Sequence, residues 1–238
     1  MDNAYSMAAR YYDKLYAGKD YQGEVQRLVA LLGVDANQKS LTLLDVACGT
    51  GRHLEYLSDF FQGEGLDSCP ELLEAAKIRN PGVSFHLGDM TGFDLGTHFD
   101  VVTCLFGSIG YVKTPEKLRS AMRCMAAHLQ PGGVLAIEPW FTPEKGRPNA
   151  VHAVFVDEPE LKIARINTRS VKDGISVFDF HYIVGTPDGT EHFVEHHELG
   201  LFSGEEMISA LKEAGLSVHY DSSGLNGRGL YTGRMRRD

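Results

Sequence analysis

In the segment Leu43-Leu44-Asp45-Val46-Ala47-Cys48-Gly49-Thr50-Gly51-Arg52-His53 an apolar run enters a glycine-rich turn and a helical pattern leaves it. A Cβ at Gly49 or Gly51 would obstruct a ligand approaching the backbone, so glycine at both positions points to binding. A dinucleotide fingerprint would place a third glycine or alanine at residue 54, where this chain has Leu54. Asp45, near the strand end, argues against a pyrophosphate and suits a cationic ligand. Asp67, in Gly65-Leu66-Asp67-Ser68, ends the next apolar run sixteen residues after Gly51 and can accept both hydroxyls of a ribose. In Gly88-Asp89-Met90 a carboxylate could accept from an adenine amino group while Met90 lines the ring. Read singly, Asp67 and Asp89 are ordinary helix caps. In this order and spacing they describe a site for a cationic nucleoside.

Other residues suggest a second ligand. Five of the ten tyrosines fall at the start of the chain: Tyr5, Tyr11, Tyr12, Tyr16 and Tyr21. Spacings of seven and four put Tyr5, Tyr12 and Tyr16 on one face of a helix, expected to be an amphipathic lid. Aromatic faces attract cations and phenols donate to phosphate. Arg228, between Gly227 and Gly229, can present its fork to a diphosphate with little obstruction. Arg165, on an expected strand, fits a ligand or a solvated face equally. His192 and His196 would share one face of a strand with His197 on the other, and no zinc spacing occurs, so no metal is expected.

Residues 40 to 140 resemble the class I S-adenosylmethionine (SAM) dependent methyltransferases, in which Asp45 to Gly51 form motif I. The resemblance implies SAM as cofactor, held by Tyr12, Tyr21, Asp45, Ala47, Gly49, Gly51, Asp67, Ser68, Asp89, Met90 and Leu105. Phe106-Gly107-Ser108-Ile109-Gly110-Tyr111, Glu138-Pro139-Trp140-Phe141, Glu195-His196 and Gly227-Arg228-Gly229-Leu230-Tyr231 narrow it further. These look like the nucleotide-sugar N-methyltransferases of antibiotic biosynthesis, which dimethylate the amine of a TDP-linked amino-deoxysugar. The implied sugar-nucleotide pocket is lined by Tyr5, Ser108, Tyr111, Trp140, Arg165 and Arg228, with Tyr111 and Tyr5 as catalytic candidates. A homodimer is implied as well.

Members of that group carry histidine where this chain has Tyr111. With an ordinary pKa near 10, tyrosine is a poor base at neutral pH, so Tyr111 is expected to orient the acceptor by a hydrogen bond. Sulfonium is an excellent leaving group, and proximity and alignment can supply roughly 7–11 kcal/mol, so a neutral amine needs no strong base. The released proton is expected to leave to water or through Tyr111, Tyr5 or His196. The alternative substrates are another small-molecule amine, a hydroxyl or a peptide N-terminus. A non-enzymatic SAM-binding protein is a third reading that intact motif I disfavours.

The elements positioning these residues follow an α/β rhythm. Apolar runs at Leu41–Ala47, Gly63–Leu66, Val83–Leu87, Asp100–Phe106 and Val134–Glu138 alternate with helical patterns at Arg52–Phe61, Pro70–Arg79 and Pro115–Leu129. Pro131-Gly132-Gly133 reads as a breaker before the fifth strand. From Ala153 to Phe202, hairpin turns at Asp173-Gly174 and Pro187 to Thr190 predict an antiparallel β-rich insertion. Ser203 and Glu206 then make a capping box with Gly215 past the helix end, and Leu216–Tyr220 and Gly229–Met235 close the fold as strands. The expected division is a Rossmann-like methyltransferase domain of residues 1–140 and 203–238, with residues 141–202 as the insertion.

With 23 basic against 32 acidic residues the net charge is −9, unsuited to a nucleic-acid partner. No apolar run is long enough to span a membrane and the start lacks a signal-peptide pattern, so the expected location is the cytoplasm. Cys48, Cys69, Cys104 and Cys124 lie far apart and are expected to be free thiols.

Overall fold

The computed structural model describes residues 9–34, 40–146 and 148–237, so Tyr5 lies outside the described residues. Seven strands form one sheet and four form another. In chain order the elements before the second sheet are α1 (Tyr12–Leu15), α2 (Tyr21–Leu32), β1 (Thr42–Val46), α3 (Arg52–Leu57), β2 (Gln62–Asp67), α4 (Pro70–Arg79), β3 (Ser84–Leu87), β4 (Phe99–Cys104), α5 (Pro115–Ala127) and β5 (Leu129–Ile137). Next come β6 (Val151–Glu158), β7 (Leu161–Lys172), β8 (Ile175–Thr186) and β9 (Gly189–Gly200), then α6 (Gly204–Glu213), β10 (Ser217–Asp221) and β11 (Leu230–Arg234). Short 3-10 turns cover Ala9–Tyr11 and Ser108–Val112.

The first sheet has the order β10-β11-β5-β4-β1-β2-β3. Strands β1 to β5 run parallel, while β11 pairs antiparallel with β5 and β10 with β11. Chain order reverses between β1 and β4, and α/β sheets open a ligand crevice at such a switch point, beyond the carboxyl ends of the strands. One apolar layer packs Leu44, Val46 and Val102 under α5 and α6, and the other packs Leu43, Val101 and Ala136 under α2 and α3.

Helix α2 buries Tyr21, Glu24, Val25, Leu28 and Val29, the i, i+3, i+4, i+7 and i+8 stripe of an amphipathic helix. Asp20 caps its start by accepting from the Gly23 amide at 2.9 Å, and left-handed Gly33 (φ 67°) ends it. A single lid helix was expected; instead a 3-10 turn and the one-turn α1 precede a break at Gly18, and α2 starts at Tyr21. Tyr12 and Tyr16 remain adjacent, with ring centroids 4.8 Å apart.

Pro131-Gly132-Gly133 also differs from expectation, lying inside β5 rather than before it. Phe99 pairs with Leu129 but Val101 with Val134, so the extra residues bulge out of the ladder around left-handed Gly132 (φ 83°). Helices α3 and α5 stop short of Phe61 and Leu129, the predicted ends. The expected capping box forms at α6: Ser203 Oγ accepts from the Glu206 amide at 3.2 Å, and the Ser203 amide donates to Glu206 Oε2 at 2.8 Å.

The second sheet, β6-β7-β8-β9, is wholly antiparallel. Asp173 and Gly174, at φ 50° and 75°, form the two-residue turn between β7 and β8, as hairpins of right-handed twist favour. The inner face packs Phe178, Phe180, Tyr182 and Phe193 against Leu15, with Tyr16, Tyr111 and Trp140 at its margin. No helix among the described residues is long and apolar enough to cross a membrane, and none of the four cysteines forms a disulfide.

Candidate active site

At the end of β1 the chain turns through two left-handed residues, Ala47 (φ 58°) and Gly49 (φ 56°); at the end of β4 Phe106 (φ 56°) and Gly107 (φ 74°) do the same. Left-handed Ala and Phe are uncommon, and strain of this kind gathers at ligand sites. Between the two ends lies a cleft lined by Tyr12, Tyr21, Asp45, Ala47, Gly49, Leu105 and Ser108, seven of the residues picked out in the sequence. Cys48, Thr50, Arg52, His53 and Phe106 complete it and were not picked out.

The two glycines serve different ends. A Cβ on Gly49 would project into open space, the cradle a ligand would fill. A Cβ on Gly51 would meet Asn80 Nδ2 at 2.6 Å and the Ala76 Cβ at 3.2 Å. Gly51 (φ 69°) therefore allows α3 to pack on α4.

Asp45 is 1% exposed and accepts from Thr103 Oγ1 at 2.7 Å. Burial pushes its pKa up to about 6. A carboxylate so deprived of water favours a cationic ligand, and SAM carries an ammonium and a sulfonium. Asp67 accepts from the Gly49 amide and the Cys69 amide, both at 2.8 Å, tying the glycine turn to the end of β2. Burial raises its pKa as well. Asp89 is exposed, with one oxygen taken by the Thr91 amide at 2.8 Å and the Thr91 hydroxyl at 2.7 Å. Ser68, Asp89 and Met90 lie outside the cleft lining but on the same edge of the sheet, just beyond β2 and β3. The acid-rich, glycine-turned cleft fits SAM.

The N-terminal elements close over it. Asp13 of α1 accepts from Thr50 Oγ1 at 2.8 Å and from Arg79 NH2 at 2.5 Å, clasping the lid to the glycine turn. Glu24 is a second clasp. It binds Lys19, His53 Nε2 (3.0 Å) and Asn226 Nδ2 (3.2 Å), joining the lid to α3 and to the loop carrying Arg228. Burial opposes its ionisation, but hydrogen bonds with His53 and Lys19 outweigh this and hold its pKa down at about 2.

Next to the cleft, the inner face of the second sheet carries charge. Alternation along β7 buries Ile163, Arg165, Asn167 and Arg169 on one face. The Arg165 guanidinium carbon lies 4.5 Å from the Phe180 ring centroid, and its NH1 donates to Tyr16 Oη at 3.0 Å. Arg169 stacks at 4.7 Å on Phe141 and 5.5 Å on Trp140; Arg228 lies 5.1 Å from Phe106 and 5.5 Å from Trp140. Arg165 Nε, Arg169 Nε and Arg228 NH1 are buried without a hydrogen-bond partner, as is Trp140 Nε1. Buried donors of this kind are rare without a ligand to receive them. Glu138, fully buried, accepts from the Phe106 amide at 2.6 Å and stands 4.0 Å from Arg228 Nε. Arg169 escaped the sequence reading, although strand alternation from Arg165 would have put it on the same face.

Tyr111 and Ser108 stand three residues apart on one 3-10 turn, where such residues eclipse one another. The Tyr111 hydroxyl lies 2.8 Å from His197 Nδ1. His196, named as a proton exit, faces the opposite way: it is exposed, with Nδ1 2.6 Å from Asp179 Oδ1. Strand alternation puts His197 inside and His196 outside, so His196 is corrected as a route from the pocket. Among the described residues no group of three or more His, Cys, Asp or Glu could hold a metal.

Residues 43–133 match the methyltransferase domain family. The chain is 41% identical to a dTDP-3-amino-3,6-dideoxy-alpha-D-glucopyranose N,N-dimethyltransferase from Streptomyces fradiae, over 94% of this chain and 89% of the relative. Among solved structures it is similar to Streptomyces venezuelae DesVI (TM-score 0.86, 36% identity, 99% of both chains). It is also similar to SAM-bound CalS10, an amino pentose methyltransferase from Micromonospora echinaspora (TM-score 0.82, 35% identity, 98% of this chain and 97% of that one). With that likeness running through both sheets, the chain belongs to the family of SAM-dependent dTDP-amino-sugar N,N-dimethyltransferases.

Proposed function

We propose that this enzyme methylates, twice, the amino group of a TDP-linked amino-deoxysugar. The observation that carries the reading is the set of buried guanidinium donors beside the cofactor cleft: Arg169 and Arg228 over Trp140, and Arg165, over Phe180, on the same strand face as Arg169. A diphosphate is the anion such donors favour, since arginine forks bind phosphate oxygens in pairs. Arg228 takes the diphosphate, Trp140 and Phe141 offer ring faces for the base, and Ser108 and Tyr111 face the sugar. Residues 141–202 thus form one wall of the substrate pocket. Bound SAM supplies a methyl group on a good leaving group, so an unprotonated amine held in line suffices. The chain's task is to align the amine and, through Tyr12, Tyr16 and Tyr21, to exclude water.

We propose further that two copies pair through the outer face of the second sheet, and that the enzyme works in the cytoplasm, a reducing compartment that suits cysteines held in no disulfide.

The test is mass spectrometry of methyl transfer from SAM to a panel of TDP-amino-deoxysugars and to the same sugars without the nucleotide. The expected result is a gain of about 28 mass units on the nucleotide-linked sugars alone, two methyl groups at about 14 each. Equal transfer to the free sugars, or none to either with SAM bound, would overturn the reading.

A further inference from the structure

Beneath Tyr111 lies a buried chain of titratable groups. His197 is fully buried, its ring stacked at 10° and 5.7 Å on Phe178 and 4.6 Å from Phe180. Its Nδ1 meets the Tyr111 hydroxyl at 2.8 Å, and its Nε2 stands 3.8 Å from Glu195 Oε2, a residue only 5% exposed. A carboxylate opposite Nε2 favours the tautomer with its proton there. Nδ1 is then the acceptor, and Tyr111 donates to it. A wholly apolar wall would pack this position at less cost than a histidine and a glutamate.

We propose that Tyr111 and His197 form a proton relay that deprotonates the acceptor amine. The inference rests on the amino-sugar reading given above. A sugar amine is largely an ammonium at neutral pH and has no lone pair until it loses a proton. In the relay the ammonium N–H bond breaks, the electron pair stays on nitrogen and the proton goes to Tyr111 Oη. As it does, the Tyr111 hydroxyl proton passes to His197 Nδ1. The phenol ends neutral, and the imidazole gains one proton and one positive charge facing Glu195. Between the two methylations that proton is lost to solvent as the pocket opens. Tyr111 is the catalytic residue, because it touches the amine. His197 reaches the amine only through it and is a positioning residue.

The surroundings suit the task. Burial lowers the His197 pKa, Glu195 raises it in part, and Arg165 on β7 and neighbouring His196 lower it. Tyr182 on β8 faces Arg165 and Glu195, and the remaining neighbours Phe178 and Phe180 are apolar. His197 is therefore neutral and ready to accept at pH 7. A tyrosine alone could not serve as the base, whereas a tyrosine that hands its own proton on can.

The experiment is the pH profile of kcat/KM for a TDP-amino-deoxysugar with wild type, Tyr111→Phe and His197→Asn, with circular dichroism of each. Tyr111→Phe keeps the ring packing and removes only the link; His197→Asn keeps an acceptor that takes no proton. Wild type is expected to hold its rate down to a limb below pH 6.5. Both variants are expected to lose that limb and follow the amine's own ionisation, falling about tenfold per pH unit beneath it. Profiles matching wild type in a folded Tyr111→Phe would overturn the relay alone. Absence of transfer by wild type would overturn the substrate reading and the relay with it.

Discussion

Burial pushes the Asp45 pKa up to about 6, with His53 and the Thr103 hydroxyl only partly offsetting the loss of water, so a positive charge brought in by a ligand would favour the carboxylate. SAM supplies that charge. Binding below about pH 6 must therefore expel a proton, and the affinity for SAM should fall about tenfold for each unit of acidification. Isothermal titration calorimetry from pH 5 to 8 reads this directly, and Asp45→Asn should flatten the slope while weakening binding roughly tenfold to a hundredfold. The sign for stability follows from the same shift. With the folded pKa raised above the unfolded one, this group favours the fold at low pH, and that favour is lost as pH rises through about 6. Thermal melts should show SAM stabilising the protein more at pH 7.5 than at pH 5.

Arg169 poses a matching question for the second ligand. Its guanidinium lies over Phe141 and Trp140, so Arg169→Met keeps an unbranched chain beside these rings and removes the charge. The expected outcome is a rise in KM for the nucleotide sugar of about tenfold to a hundredfold, with the dissociation constant for SAM unchanged. An unchanged KM would confine Arg169 to a structural role.

At the scale of elements, the lid and the glycine turn are held together by few bonds. Asp13 links α1 to Thr50 and to Arg79 at the end of α4. Because α1 is a single turn, it has little stability of its own. Asp13→Ala should leave the melting temperature within a few degrees and speed SAM release by about tenfold, as stopped-flow fluorescence would report. The same elements show what a sequence discloses. Strand β1, its glycine turn and α3 were legible because apolar run, breaker and helical period agree. So was the meander, marked by Asp173-Gly174 and strict alternation. Helix α2 was missed because Gly23 interrupts its pattern and Glu24 occupies its buried face, where an apolar residue would be expected. Glu24 is buried only because Lys19, His53 and Asn226 reach it from three separate segments, and no local pattern reveals a convergence of that kind. Pro131-Gly132-Gly133 misled for the opposite reason: its local signal was clear, but the sheet absorbs it as a bulge.

The whole molecule leaves one large surface unexplained by its own packing. On the outer face of the second sheet Phe155 is 69% exposed, Ile183 53%, Ile166 44% and Val194 42%. Pairing makes them one patch. Phe155 lies opposite Ala164, Ala164 opposite Ile183, Ile166 opposite His181, and His181 opposite Val194, while His181 and His192 stack at 5.9 Å between them. Scattered apolar residues on a surface are ordinary, but a contiguous patch across all four strands marks a contact. A second copy of this sheet is a suitable occupant, since two such faces can pack at the usual spacing of about 10 Å and cover each other by the same residues. Ile183→Glu puts a like charge on both sides of such a contact. Light scattering should then give a monomer mass where wild type gives twice that, with the circular dichroism spectrum preserved. The active cleft opens on the other side of this sheet, so SAM binding by the monomer should persist. A wild type that is already monomeric at micromolar concentration would leave the patch to a different partner and end the case for a dimer through this face.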